Sequence, residues 1–348
     1  MDNISALRIC VEKQGKIMDF DAHDTRRRAA FIKSNIWPAH SKIRIGFYEA
    51  PPDIKWTPLS VMKGKNKPID PLEEVVRSLS PSQAIIKVVT ERIIPIVNLS
   101  ISFVSNVKDA NVRVNFKKDG AWAYVGNDNL NHTDYNDPTV NFEWLDVATI
   151  IHEFCHVMGM IHEHQNPFGK PIDWNVQAVY QWAQSSQKWD KETTDVNILE
   201  KYDQTLLNGS EYDPNSVMLY FFPNSLTNDH VGTEQNMRLS PTDAIWLEKM
   251  YPGGQMSASQ FYKQTYNEDI SEDTNETTPT TNPTTAPLIT TDSESINPTN
   301  DLGYTSDDIL LYAIIGITTM MVMYLVYYYI TVVFKHKNTP VSPTLPSV

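Results

Sequence analysis

The chain has little cysteine, no basic stripe and no long apolar run at its start. Its two cysteines, Cys10 and Cys155, stand far apart among 348 residues and exclude a disulfide framework. The opening Met1-Asp2-Asn3-Ile4-Ser5-Ala6-Leu7-Arg8 lacks the apolar core of a secretory signal, so none is expected there. Lys and Arg total 29 against 42 Asp and Glu, a formal net charge of −13. Nucleic acid is therefore not an expected partner. A further absence is more telling: from Ile309 to Phe334 not one side chain is charged.

That uncharged stretch exceeds the roughly 20 residues needed to cross a hydrocarbon core, and it predicts a single transmembrane helix over residues 309–334. Tyr312 and Tyr327-Tyr328-Tyr329 suit the two interfacial belts, and Gly316 is tolerated within the span. Lys335-His336-Lys337 follows, which places the short tail, residues 335–348, in the cytosol. The bulk of the chain is then extracellular, lumenal or on a virion surface. Several viral envelope proteins are built this way, so a viral membrane protein fits the pattern. Sequons at Asn3, Asn98, Asn131, Asn208 and Asn275 would be usable on that side, as in a glycoprotein.

The negative charge is unevenly placed. Residues 255–308 hold ten acidic residues against Lys263, most of the −13. The same segment contains Asn275-Glu276-Thr277-Thr278-Pro279-Thr280-Thr281-Asn282-Pro283 and reads as an acidic Thr/Pro-rich stalk that cannot bury enough apolar surface to order itself.

Chemistry concentrates in His152-Glu153-Phe154-Cys155-His156-Val157-Met158-Gly159-Met160-Ile161-His162-Glu163, an H-E-x-x-H-x-x-G-x-x-H-E pattern. On a helix, His152 and His156 project from one face, one turn apart. Gly159 lets the chain leave the helix at positive φ and turn back, so that His162 can supply a third nitrogen. Three imidazoles leave a zinc ion one open position for water, and Glu153 can reach that water rather than the metal. A bare H-E-x-x-H arises by chance in roughly one chain in a hundred of this length; the added glycine, histidine and glutamate lower that by about four orders of magnitude. Cys155 points off the histidine face and reads as a small core residue. His164, His23, His40 and His132 have no partner spacing and read as ordinary surface or structural residues.

The extended motif resembles the metzincins, and Glu163 directly after the third histidine resembles the astacin family. Ser216-Val217-Met218-Leu219-Tyr220, about 55 residues on, is similar to the family's Met-turn, with leucine in place of histidine. The resemblance implies an apolar floor beneath the metal at Met218 and, at Tyr220, a movable ligand that stabilises the tetrahedral intermediate. His162-Glu163-His164-Gln165-Asn166-Pro167 resembles an H-E-H-Q-x-P branch of the family. The likeness extends over about residues 36–252. It implies a Zn²⁺ cofactor, a polypeptide substrate and an edge strand, matched by residues 120–125, that pairs with extended peptide. There is no F-x-G-D propeptide signature, and Asp19-Phe20-Asp21 is a poor substitute. Arg26-Arg27-Arg28 before Ala29-Ala30 marks either a processing site or a solvated basic turn.

The expected fold is α+β and zincin-like. A twisted sheet from residues 42–48, 101–104, 111–116 and 121–125 carries two helices above an active-site cleft. Ser80-Pro81-Ser82-Gln83 reads as a capping box opening the first helix, and Asp146 as the cap of the zinc helix. After Gly159 the chain is expected to be largely irregular, with a closing helix near residues 242–250. The organisation is an N-terminal extension at 1–28, a metallopeptidase domain at 29–254, the stalk at 255–308, the span at 309–334 and the tail. The expected function is zinc-dependent endopeptidase, with Glu153 and Tyr220 catalytic and His152, His156 and His162 holding the metal. The alternative is a non-catalytic surface attachment protein with a protease-like zinc-binding head.

Overall fold

The computed structural model describes residues 11–13, 31–63, 67–168, 172–203, 207–209 and 211–270. Most of the stalk and all of the expected span and tail lie outside the described residues. Among those residues no helix is long and apolar enough to cross a membrane.

In chain order the elements are β1 (Val11–Lys13), β2 (Phe31–Ile32), β3 (Lys42–Phe47), β4 (Lys55–Trp56), α1 (Leu59–Lys63), α2 (Leu72–Val76) and α3 (Pro81–Arg92). Next come β5 (Ser100–Phe103), β6 (Val112–Asn115), β7 (Trp122–Tyr124), β8 (Val140–Asn141), β9 (Trp144–Leu145) and α4 (Val147–Val157). The remainder is α5 (Val176–Trp182), α6 (Lys191–Thr194), β10 (Leu207–Asn208), α7 (Pro241–Met250) and α8 (Ala258–Tyr266).

Six strands form one sheet in the order β1-β7-β8-β6-β3-β5, parallel throughout except where β7 runs against β8. In β3, Ile43 and Ile45 are buried while Lys42 and Arg44 are exposed, the period-two alternation of a strand that packs its apolar side on a core. Ile43, Ile45, Val112, Val114 and Val140 meet Ile85, Val88 and Val89 of α3 and Ile150, Ile151 and Phe154 of α4 in one cluster. Each such side chain contributes about 1.5–3 kcal/mol by leaving water. α3 opens as its sequence requires. Ser80 accepts from the Gln83 N–H, the Gln83 carboxamide accepts from the Ser80 N–H, and Pro81 fills the first turn.

Three findings depart from the sequence reading. The stalk does not begin at residue 255. α8 forms there with its own capping box at Ser257 and Gln260, and Phe261 and Tyr262 are buried in the main core. Tyr266 donates to Asp70 (2.9 Å), whose carboxylate also holds Arg92 of α3 in a bidentate pair at 2.7 Å. The signal was present as aromatic residues at helical spacing, but the acidic composition around them outweighed it.

The stretch after Gly159 is less irregular than expected. It holds α5 and α6, each running on into a π-helical turn, at Ala183–Gln187 and Asp195–Leu199. Asn175 and Asp190 cap these two helices. Finally, the strand matched to the substrate edge, β7, is not at the edge of the sheet. β1 lies parallel to it, with Val11 opposite Trp122 and Lys13 opposite Tyr124.

Candidate active site

α4 carries the first two histidines, and its N-terminus is held by two carboxylates. Asp146 accepts from the Thr149 N–H (2.7 Å), and Glu73 of α2 accepts from the Val147 N–H (2.7 Å). Both carboxyl groups stand at the positive end of the helix dipole. Thr57 donates to Asp146, and Arg77 pairs with Glu73. At the other end Trp37 donates its indole N–H to the Val157 carbonyl (2.6 Å) and Tyr251 its hydroxyl to the Met158 carbonyl (2.6 Å). Gly159 then takes φ +97°, a conformation side chains with a Cβ rarely adopt, and the chain reverses toward His162.

The three histidines meet as the motif demands. Their candidate ligand nitrogens all lie within 4.8 Å of one another, and all three residues are buried. The Nδ1–H of His152 donates to the Val217 carbonyl (2.8 Å) and that of His156 to the Met160 carbonyl (2.8 Å). Each bond fixes the tautomer and leaves the Nε2 lone pair bare. The Nε2 of His152 has no hydrogen-bond partner among the described residues although it is buried. The Nε2 atoms of His156 and His162 stand 3.0 Å apart. Burial pushes His152 down to about 4 and holds His156 and His162 well below the usual histidine range, so all three are neutral at neutral pH. A trio of neutral imidazole nitrogens, one of them buried without a partner, fits zinc. Cys155 takes no part: it is fully buried in the main core, and burial pushes its thiol up.

Glu153 follows His152 on α4 and is fully buried. The Ser216–Tyr220 turn passes beside the site. Met218 is fully buried, and its carbonyl accepts from the Glu163 N–H (3.0 Å). The turn is fixed by Asp243 of α7, which accepts from the Ser216 hydroxyl (2.7 Å), the Val217 N–H (2.8 Å) and the Ser240 N–H (2.9 Å). Val217 thus links Asp243 on one side to His152 on the other. Tyr220 reaches the site directly, its hydroxyl 2.6 Å from His162 Nε2.

Glu163 turns away from the histidines. Its carboxylate accepts from the Asp213 N–H (2.7 Å) and Asn166 (2.8 Å), and burial pushes it up to about 8. It is a structural strut between the third ligand and the approach to the Met-turn. His164, read from the sequence as an ordinary residue, is buried and stacks on both His162 and Tyr220, with centroids 5.3 and 4.8 Å apart. Only the loop's return path brings it there, so spacing alone gave no signal.

Comparison with known proteins agrees with this geometry. The Astacin peptidase family matches residues 94–251. A solved structure of myroilysin is 29% identical with a TM-score of 0.52, covering 65% of this chain and 100% of its own. A crystal structure of myroilysin is 25% identical with a TM-score of 0.43, covering 72% of this chain and 94% of its own. No curated protein matches. The matched residues hold the His152, His156 and His162 cluster, and the chain is a zinc metalloendopeptidase that is similar to the Astacin family over residues 94–251.

Proposed function

We propose that the chain hydrolyses internal peptide bonds of polypeptides with Glu153 as general base and Tyr220 as oxyanion donor, while tethered to a membrane through residues 309–334. The observation that carries the reading is the buried trio of neutral histidines with Glu153 on the same helix and the Tyr220 hydroxyl 2.6 Å from His162. When bound, zinc lowers the pKa of a water towards ~7 and polarises the scissile carbonyl. Glu153, buried one residue after a ligand, takes the proton of the attacking water and delivers it to the departing amine. Tyr220 donates its O–H to the carbonyl oxygen as negative charge grows there. The Nδ1–H bonds of His152 and His156 keep both rings oriented through the cycle.

Extended substrate pairs with the main chain of β7 in this reading. β1 occupies that side of β7, so residues 11–13 must leave before a peptide can add there. A chain lacking residues 1–28 is expected to show a higher kcat/KM on peptides than the full chain. Equal values would remove β7 as the substrate strand.

The direct test is cleavage of a denatured protein by the purified full chain, beside Glu153→Ala and with a zinc chelator. Loss of cleavage in both controls, with zinc still bound to Glu153→Ala, is the expected result. Turnover by Glu153→Ala would rule out its role as base. Zinc binding without any cleavage by the wild-type chain would favour the attachment-protein reading. For the tether, 26 uncharged residues followed by Lys335-His336-Lys337 are the support. The full chain should sediment with membranes and a chain ending at residue 308 should not.

A further inference from the structure

We propose that His164 is a positioning residue that sets the Tyr220 phenol in place over the metal site. This rests on the role assigned to Tyr220 above. Tyr220 is held at its backbone by Thr233, whose hydroxyl donates to the Tyr220 carbonyl, while Thr233 also exchanges hydrogen bonds with Phe222 at 2.7 and 2.9 Å. That fixes where the side chain starts, not where the hydroxyl ends. Two imidazoles stack on the Tyr220 ring, His152 at 5.9 Å between centroids and one that lies closer. The closer one is His164, with centroids 4.8 Å apart and planes 28° from parallel, and it contacts Phe222 edge-on at 5.1 Å. The same ring stacks on His162 at 5.3 Å, so one imidazole touches both partners of the 2.6 Å Tyr220–His162 contact.

His164 is itself anchored from outside the motif. Its Nε2–H donates to the Asn197 carbonyl (3.0 Å) in the π-helical turn at Asp195–Leu199. Gln165 fixes that turn again through the Val196 and Glu200 carbonyls at 2.8 and 3.1 Å. The π-turn thus acts on the phenol through the imidazole. Its Nδ1 is buried with no hydrogen-bond partner among the described residues, a cost a phenylalanine of similar shape would avoid.

The experiment is steady-state kinetics of the zinc-loaded full chain on a fluorogenic peptide, with zinc content measured for each variant. The variants are Tyr220→Phe, His164→Gln, His164→Phe and His164→Gln/Tyr220→Phe. Tyr220→Phe should lower kcat on the order of 100-fold. His164→Gln, which keeps a donor but loses the ring face, should lower kcat about tenfold with KM and zinc content unchanged. The double variant should be no slower than Tyr220→Phe alone, because a phenol without its hydroxyl has nothing left to position. His164→Phe keeps the face and the core volume, should fold, and should lose about threefold in kcat at most.

Multiplicative losses in the double variant would overturn the proposal. So would a wild-type kcat for His164→Gln, or a loss explained by lower zinc content, which would mean that His164 acts on His162. A larger loss in folded, zinc-loaded His164→Phe than in His164→Gln would also overturn it, by showing that the anchor matters and the face does not. Failure of the underlying reading looks different: Tyr220→Phe would then retain wild-type kcat.

Discussion

The helix that carries His152 and His156 and the turn that carries Met218 and Tyr220 meet at one site but are held by different forces. α4 is fixed by apolar packing of Ile150, Ile151 and Phe154 against the sheet and α3, with carboxylates only at its first turn. The Ser216–Tyr220 turn has no ladder or helix of its own. It is fixed by side chains that accept from its backbone and hydroxyl groups, Asp243 above all, and by Asn236, which donates to the Ser216 carbonyl (2.8 Å). Helical packing places two ligands, and buried polar struts place the third ligand and the tyrosine. The two regions should therefore fail differently.

The largest effect is expected on the polar side. Asp243→Ala leaves the Val217 and Ser240 N–H groups and the Ser216 hydroxyl buried without their acceptor. A buried donor left without its acceptor costs about 1–3 kcal/mol, and such costs are not additive, so a loss of about 3 kcal/mol or more is expected in urea unfolding. Because Val217 orients His152, zinc affinity should fall as well. Wild-type zinc affinity in a folded Asp243→Ala variant would show that α4 alone sets the metal site.

A second contrast lies in pH. Burial pushes the Glu73 carboxyl, at the α4 N-terminus, from its ordinary value of 4.5 up to about 7, although Arg77 and the Val147 N–H pull the other way. Between those values the folded chain holds a proton that the unfolded chain has lost. The stability Glu73 contributes is therefore complete below about pH 4.5 and is lost as pH rises through about 7. Glu73→Gln cannot titrate. Its stability relative to wild type should rise between pH 5 and pH 8 in denaturant melts. A difference independent of pH would mean that the ion pair with Arg77 outweighs burial.

The third effect tests the joint between the two regions. At Gly159 a built Cβ meets nothing closer than 3.6 Å, so space is not the obstacle; φ +97° is. Gly159→Ala should cost about 1–2 kcal/mol from backbone strain alone. Relief of that strain would swing His162 away, so zinc affinity should drop more than the unfolding midpoint does.

The same division explains what the sequence made legible. The capping box at Ser80 and Gln83, the alternation in β3 and the H-E-x-x-H face of α4 are local patterns of period 2 or 3.6, and the structure has them where those patterns stand. The Gly159 turn was legible because glycine takes its positive φ without the strain that a Cβ brings. His164, the Glu163 strut and the Asp243 anchor were not legible as a set. His164 depends on Asn197, 33 residues on, and Glu163 on Asp213, 50 residues on. Asp243 depends on Ser216 and Val217, 27 and 26 residues back. No period in the chain records such pairs. α8 was obscured by composition: an acidic, polar segment conceals a short amphipathic helix whose few aromatic residues bind it to the core.

The smallest effect completes the comparison. Ile85 is fully buried on α3 in the cluster that supports α4. Ile85→Val removes one methylene, which should cost about 0.5–1.5 kcal/mol by lost transfer energy and a small cavity. Apolar packing is not directional, and neighbouring side chains can relax into the space. The backbone of α4 is also fixed at both ends, by Asp146 and Glu73 at the start and by Trp37 and Tyr251 at the finish. The loss should therefore appear in the unfolding midpoint and leave zinc affinity and kcat within about twofold of wild type. If Ile85→Val weakened zinc binding as much as it weakened the fold, the metal site would depend on the fine packing of α3. Its independence from the core would then be false, and the polar struts would be supports added to a site already set by the sheet and its helices.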